Sequence, residues 1–210
     1  MADVPLELDA ALEGRLARAL DVEGKIPRTL ESLGPVSGRD VVLVDGERPR
    51  TSDGLRARQL RELDARLTVT GWGDPPHADL PDESADVVIS CWTAFRGADP
   101  AELDEADRIL RPGGRLLAVH DYGRDDVSRL LGARPEYATW SRRDGPFLRQ
   151  GFKIRVVHCF WTFDSIEDGQ DFLGAAFGEV GRAVGAGMTR PRLTYNLAVY
   201  HRTFEGPSEG

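Results

Sequence analysis

The sequence predicts an α/β protein in which helices cover both faces of a mostly parallel sheet. Three observations carry this. Short apolar runs rich in β-branched residues recur at Val41-Val42-Leu43-Val44, Asp86-Val87-Val88-Ile89-Ser90-Cys91 and Arg115-Leu116-Leu117-Ala118-Val119-His120, as strands buried on both faces require. Segments of helical period lie between them, and that alternation builds parallel crossover units. One helix start carries three agreeing signals in Asp99-Pro100-Ala101-Glu102: an Asp cap, Pro in the first turn and an acid beside it.

The elements follow in order. Leu8, Leu12, Leu16 and Leu20 form one apolar stripe on a helix of about four turns. A second short helix spans Pro27 to Leu33 and ends at Gly34-Pro35. After the first strand a polar loop runs from Asp45 to Asp53, and Ser52 or Asp53 is the cap expected for a helix carrying Leu55, Leu60 and Leu63. Leu67-Thr68-Val69-Thr70 is the next strand, and Gly71 to Pro81 connects it to the third. Leu103, Ala106, Ile109 and Leu110 mark the inner face of the following helix, which Pro112-Gly113-Gly114 breaks before the fourth strand. A strand from Lys153 to Phe160, a helix from Ser165 to about Phe177, a Gly-rich turn over Gly178 to Gly187 and a last strand from Arg192 to Tyr200 complete the count of six strands. The expected organisation is an N-terminal helical segment, residues 1–38, packed on a main domain, residues 39–204, with a flexible tail at 205–210.

Composition narrows the function. Of 210 residues, 40% are hydrophobic and 30% charged, a balance that supports a folded domain rather than disorder. The net charge of −8 is the reverse of what a general nucleic-acid binder shows. Only Lys25 and Lys153 among the 27 basic residues are lysines. Cys91 and Cys159 sit in apolar runs and form neither a disulfide framework nor a zinc pattern. The acidic start Met1-Ala2-Asp3 has no secretory pattern and no apolar run is long enough to span a bilayer, so a cytoplasmic, reduced protein is expected.

Ligands of open α/β sheets sit outside the carboxyl ends of the strands, so the residues that follow each strand are the ones to read. His120-Asp121-Tyr122-Gly123-Arg124-Asp125-Asp126 is the richest polar cluster. His120 and Asp121 there suit a general base and its partner, with Tyr122 beside them. The carboxylates also suit a divalent cation with His120 and Asp125, and Asp125 or Asp126 suits a helix cap. Arg48 and Arg50 precede a helix N-terminus and suit an anion. Trp92 offers a flat wall, or a core aromatic. Cys91 reads as an inert buried thiol. Residues 142–155 carry five basic residues against one acid with aromatics interleaved, which suits an anionic or flat substrate, or a solvated loop. His158 and Cys159 are neighbours on one strand and therefore point to opposite faces.

The stretches Leu80-Pro81-Asp82-Glu83-Ser84-Ala85-Asp86-Val87-Val88-Ile89-Ser90 and Glu105-Ala106-Asp107-Arg108-Ile109-Leu110-Arg111-Pro112-Gly113-Gly114-Arg115-Leu116-Leu117-Ala118-Val119 resemble the central part of class I S-adenosylmethionine-dependent methyltransferases of type 11-like character. A looser resemblance runs from Arg39 to Arg202. It implies a three-layer Rossmann-like sandwich whose last strand inserts antiparallel, and S-adenosylmethionine as cofactor. It also implies cofactor contacts at Asp45, Gly46, Asp74, Cys91 and Trp92, with His120, Asp121 and Tyr122 facing the substrate. The family's glycine-rich loop is reduced here to Asp45-Gly46-Glu47-Arg48-Pro49-Arg50, no acid follows the second strand, and one strand–helix unit is missing from seven strands. Two functions follow. One is a divergent methyltransferase-like enzyme acting on a small molecule. The other is a protein of the same fold without activity, serving as an anion-binding module through Arg48 and Arg50 or as an interaction module, with a homodimer as a possible assembly.

Overall fold

The computed structural model describes residues 4–45, 54–137 and 139–206. Two helices come first, α1 (Ala10–Ala19) and α2 (Lys25–Leu33). Asp9 caps α1, its Oδ1 accepting from the backbone N–H groups of Ala11 and Leu12 at 2.9 Å. Asp21 does the same for α2, accepting from Lys25 N at 2.8 Å and Ile26 N at 2.6 Å. Leu12 and Leu16 face the core from α1, but the helix is shorter than expected: Leu8 precedes the Asp9 cap and Leu20 follows the last turn in extended backbone, Leu20 buried and Leu8 partly so.

The sheet follows: β1 (Asp40–Val44), α3 (Leu55–Glu62), β2 (Arg66–Thr70), β3 (Ala85–Cys91), α4 (Pro100–Ile109), β4 (Leu110–Asp121), α5 (Asp126–Leu131), a 3-10 turn (Pro135–Tyr137), α6 (Pro146–Arg149), β5 (Lys153–Thr162), α7 (Ile166–Ala186) and β6 (Arg192–Thr203). The strand order is β2-β1-β3-β4-β6-β5. The first four strands pair in parallel, and β6 inserts antiparallel between β4 and β5. This is the expected three-layer α/β architecture with six strands and an antiparallel last strand.

Alternation along each strand sends side chains to two cores. Val41, Leu43, Val87, Ile89, Leu117 and Val119 meet α1, α2, α3, α5 and α7 on one face. Val42, Val44, Val88, Leu116 and Ala118 meet α4 and α6 on the other. Asp99 caps α4 as the sequence predicts, with Pro100 in the first turn.

Two local expectations are corrected. The fourth strand does not end at His120; its ladder to β6 continues to Asp121, which pairs with Leu197. The chain turns at Gly178, where the first helical arm ends as expected, but the rest of the stretch to Gly187 is not a turn: a second arm of α7 runs to Ala186, folded back on the first. Gly178 has φ 59° and ψ −129°, a conformation that glycine alone adopts readily. Glycine content here serves close helix contact. The two arms approach so closely that a Cβ on Gly181 would lie 1.9 Å from the Leu173 carbonyl oxygen. Ser52 and Asp53, the expected caps of α3, lie outside the described residues.

This contact gives a stability test. Gly181→Ala gains about 1 kcal/mol of helix propensity but forces apart two packed arms, an overpacking cost of about 3 kcal/mol. A net loss of about 2 kcal/mol is expected from the urea midpoint. Gly14→Ala is the control: its Cβ meets nothing nearer than Arg18 Nη1 at 3.7 Å, so a gain of about 0.5–1 kcal/mol is expected there. Equal behaviour of the two variants would remove the close helix contact from the account.

Candidate functional site

The carboxyl ends of β1, β3 and β4 meet at one edge of the sheet. Hydroxyl groups tie the first two together. The Thr93 hydroxyl donates to the Val44 carbonyl at 3.0 Å, which leaves Ser90 Oγ as the donor to Thr93 Oγ1, also at 3.0 Å. Ser90 Oγ in turn accepts from Ala94 N at 3.0 Å. Asp45 follows β1, is buried, and donates its backbone N–H to the Thr70 carbonyl at 2.8 Å, so β2 and β1 end together.

The turn after β3 is strained. Trp92, Phe95 and Ala98 have φ values of 62°, 59° and 56°, in the left-handed region that non-glycine residues rarely occupy. Such conformations persist only where surrounding contacts hold them. For Trp92 those contacts are visible. Its backbone N–H donates to the Val119 carbonyl at 2.8 Å and its indole Nε1 donates to Asp121 Oδ1 at 3.1 Å. The Arg56 guanidinium lies 5.6 Å from the indole ring.

Asp121 is the centre of this arrangement. Besides Trp92, its Oδ1 accepts a short hydrogen bond from the Tyr195 hydroxyl, and its Oδ2 accepts from the Tyr137 hydroxyl at 3.4 Å. Burial pushes its carboxyl up to about 6, against the opposing effect of the Tyr195 hydrogen bond. The same burial, with the Asp121 charge, pushes the Tyr195 and Tyr137 hydroxyls well above the usual phenol range.

Beside Trp92 opens a crevice of about 620 Å³, lined among the described residues by Val4, Pro5, Leu6, Glu7, Trp92, Thr93, Arg96 and Arg134. That volume suits a small molecule. Arg96 forms a short ion pair with the buried Glu136, donates to the Trp92 carbonyl at 3.3 Å, and lies 5.4 Å from the Trp140 ring.

The structure sorts the residues singled out by sequence. Trp92 lines the crevice and is held by Asp121, which is buried and does not line it, with Asp45 at the neighbouring strand end and Cys91 also buried. His120 is not Asp121's partner. Adjacent positions of β4 face opposite sides, and His120 points into the other core. There its ring packs against Trp140 at 5.0 Å, Phe147 at 5.8 Å and Tyr200 at 6.5 Å. Neither ring nitrogen makes a well-formed hydrogen bond among the described residues; burial, with the Arg96 charge, pushes the imidazole down to about 3 against the weaker opposing effect of the Ala94 and Phe95 backbone. Tyr122 packs against that same core, with Arg124 over its ring at 5.7 Å. Asp125 caps α5 in a capping box with Ser128. Asp74 is exposed in the loop after β2 and does not line the crevice. Gly46, Arg48 and Arg50 lie outside the described residues. His158 is exposed and Cys159 buried, on opposite faces as expected, and the Cys159 thiol is pushed up to about 12 by burial and by the neighbouring Asp21. Arg134, Glu136 and Tyr137 were not singled out by sequence, because the 3-10 turn that carries them comes to the crevice only through tertiary folding. Among the described residues no group of three His, Cys, Asp or Glu is placed to hold a metal ion, and no helix is long and apolar enough to cross a membrane.

Comparisons with known proteins converge on this architecture. Residues 28–118 match the family model described as a methyltransferase domain. A 75-residue stretch is 37% identical to ribosomal RNA-processing protein 8 of Rattus norvegicus; it covers 35% of this chain and 16% of that protein, so the likeness concerns a small part of it. Among solved structures, a candidate type II methyltransferase from Anaeromyxobacter dehalogenans superposes with a TM-score of 0.52 at 18% identity, covering 87% of this chain and 96% of that one. A SAM-dependent methyltransferase from Aquifex aeolicus gives a TM-score of 0.50 at 17% identity, covering 93% and 98%. These two likenesses speak for the fold.

The placement of His120 generates a prediction. A buried imidazole whose nitrogens lack well-formed hydrogen bonds costs about 1 kcal/mol or more. Its folded value near 3 lies below the usual value near 6.5, so the stability it permits is present above about pH 6.5 and is lost as pH falls towards 3. Asp121 runs the other way: its carboxyl is raised, so its ionisation removes stability as pH rises from about 4 to 6. His120→Phe keeps the aromatic packing and removes the base. Urea midpoints are expected to show the variant at least as stable as the parent at pH 7.5, and losing less stability by pH 4.5. A variant weaker at both values, with an unchanged pH dependence, would refute the placement.

Proposed function

We propose that the chain, whose residues 28–118 match a methyltransferase-domain model, is a class I S-adenosylmethionine-dependent methyltransferase that transfers a methyl group to a small-molecule acceptor in the crevice beside Trp92. The observation that supports this best is Trp92 itself. It sits directly after β3, at the ligand edge of an open α/β sheet, in a left-handed conformation and with its indole held by the buried Asp121.

The residues present fit an adenosyl group. A flat indole wall, the Asp45 carboxylate at the end of β1 and the Thr93 hydroxyl lie together at that edge. S-adenosylmethionine, when bound, supplies the electrophilic methyl on its sulfonium. What the chain contributes is alignment and exclusion of water. Methyl transfer depends chiefly on holding the acceptor in line, so the lack of a side-chain nucleophile is no obstacle. Asp121 is a positioning residue in this reading: it fixes the indole plane through one oxygen and the Tyr137 turn through the other. Asp74, exposed in its loop, and Gly46 are the further cofactor contacts proposed from the resemblance. The net charge of −8 favours a small acceptor over the RNA that the name of the rat protein suggests.

One observation supports a second reading. β2 ends in Thr70-Gly71-Trp72, with no carboxylate to hold a ribose, and Trp72 is turned inward against Phe95 at 5.8 Å. A chain of this fold without methyl transfer, binding anions through Arg48 and Arg50 or pairing with a protein, accounts for that loss.

Thermal unfolding with S-adenosylmethionine and S-adenosylhomocysteine separates the two. At a hundredfold excess over Kd, one-site binding adds about 2.7 kcal/mol, on the order of 5–10 °C in Tm for a chain of this length. A saturable shift is expected, with Trp92→Leu weakening affinity about tenfold through loss of the aromatic face. A flat response from folded protein at millimolar nucleoside would favour the second reading.

A further inference from the structure

Arg134 lines the crevice half-buried, yet among the described residues its guanidinium has no hydrogen bond, ion pair or ring contact. A guanidinium partly removed from water normally finds an acceptor. The nearby carboxylates are committed elsewhere. Glu136 is taken by Arg96. Asp121 accepts from Trp92, Tyr195 and Tyr137. Asp125 accepts from the backbone N–H groups of Ser128 at 2.6 Å and Asn196 at 2.8 Å. Glu7, the one acid on the crevice wall among the described residues, is exposed and forms no ion pair with Arg134. The charge of Arg134 nevertheless reaches the site, since it favours the ionised forms of both Asp121 and Tyr137.

The rest of the wall says what shape of anion fits. Val4, Pro5 and Leu6 make part of the wall apolar, and Thr93 and Arg96 make part of it polar. Arg96 is already paired, so it is a second, weaker cation at the mouth. Guanidinium groups bind carboxylate and phosphate with two parallel hydrogen bonds, and such bonds are the stronger kind.

We propose that the crevice binds a small molecule with an apolar body and an anionic head group, carboxylate or phosphate. The head group pairs with Arg134 and the body lies against Pro5 and Leu6, which leaves the Trp92 indole to the nucleoside. The proposal rests on the methyltransferase reading for one point, that this ligand is the methyl acceptor; the binding itself does not depend on it.

Calorimetric titration of the full chain with benzoate, phenyl phosphate and benzyl alcohol tests this, each with and without S-adenosylhomocysteine. Probes of this size bind with dissociation constants on the order of millimolar. At least one anion is expected to bind tenfold or more tightly than benzyl alcohol, and which anion wins identifies the head group. Arg134→Gln is expected to lose that preference, Arg134→Lys to keep part of it, and both to retain the parental Tm and affinity for S-adenosylhomocysteine. Equal binding of the alcohol, no response to any probe, or full anion affinity in Arg134→Gln would overturn the proposal. Anion binding without any S-adenosylhomocysteine binding would leave this site standing and remove the methyltransferase reading. The nucleoside without the anions would do the reverse.

Discussion

Three strands and a turn converge on one buried carboxyl group. Asp121 closes β4, receives the Trp92 indole from the end of β3, the Tyr195 hydroxyl from β6 and the Tyr137 hydroxyl from the 3-10 turn. An unpaired carboxylate at that depth would be prohibitive, and these three donors are what make it tolerable. The converse also holds. Without the carboxylate the Trp92 conformation loses a side-chain anchor, and the turn bearing Arg134 and Glu136 loses its tie to the sheet. Gly123 leaves room for this arrangement, since a Cβ there would come within 2.9 Å of the Tyr137 Cβ.

Beside that polar knot, the other face of the same strand is dry. His120 sits one residue earlier and is walled by Trp140, Phe147 and Tyr200, the last two stacked with centroids 3.8 Å apart and planes 9° from parallel. α6, its flanking loop and β6 supply that aromatic cover. The strand therefore separates two environments: a hydrogen-bonded carboxyl under the crevice, and an imidazole kept neutral among aromatic rings. The second packs the loop down; the first shapes the ligand edge.

Elements that depend on local chemistry were legible in the sequence. β1, β3 and the core of β4 announce themselves as continuous apolar runs because both of their faces are buried. α4 is declared by Asp99 and Pro100, whose cap satisfies backbone donors within the same turn. What misled was composition read without partners. Glycines near the C-terminus suggested a turn, but Gly181 is small so that one helical arm can rest on another. The rule that separates His158 from Cys159 also separates His120 from Asp121, once the ladder is seen to extend through Asp121. Arg134, Glu136 and Tyr137 carried no local signal at all, because their meaning comes from where the chain returns across the sheet.

The loss of an acid after β2 changes how a nucleoside would be held. With no carboxylate there for the ribose, more of the binding energy falls on the indole face, and the orientation of that face depends on Asp121. The same carboxyl group steadies, through Tyr137, the turn that presents Arg134. On the proposed reading the nucleoside side and the acceptor side of the crevice therefore share one support. Its raised carboxyl, near 6, places its charge change within reach of ordinary conditions. Protonation would weaken its hold on Trp92 and Tyr137 together, since a neutral carboxyl accepts more weakly than a charged one. Two ligands bearing on one titrating group are coupled by linkage, each altering the affinity of the other by the same factor.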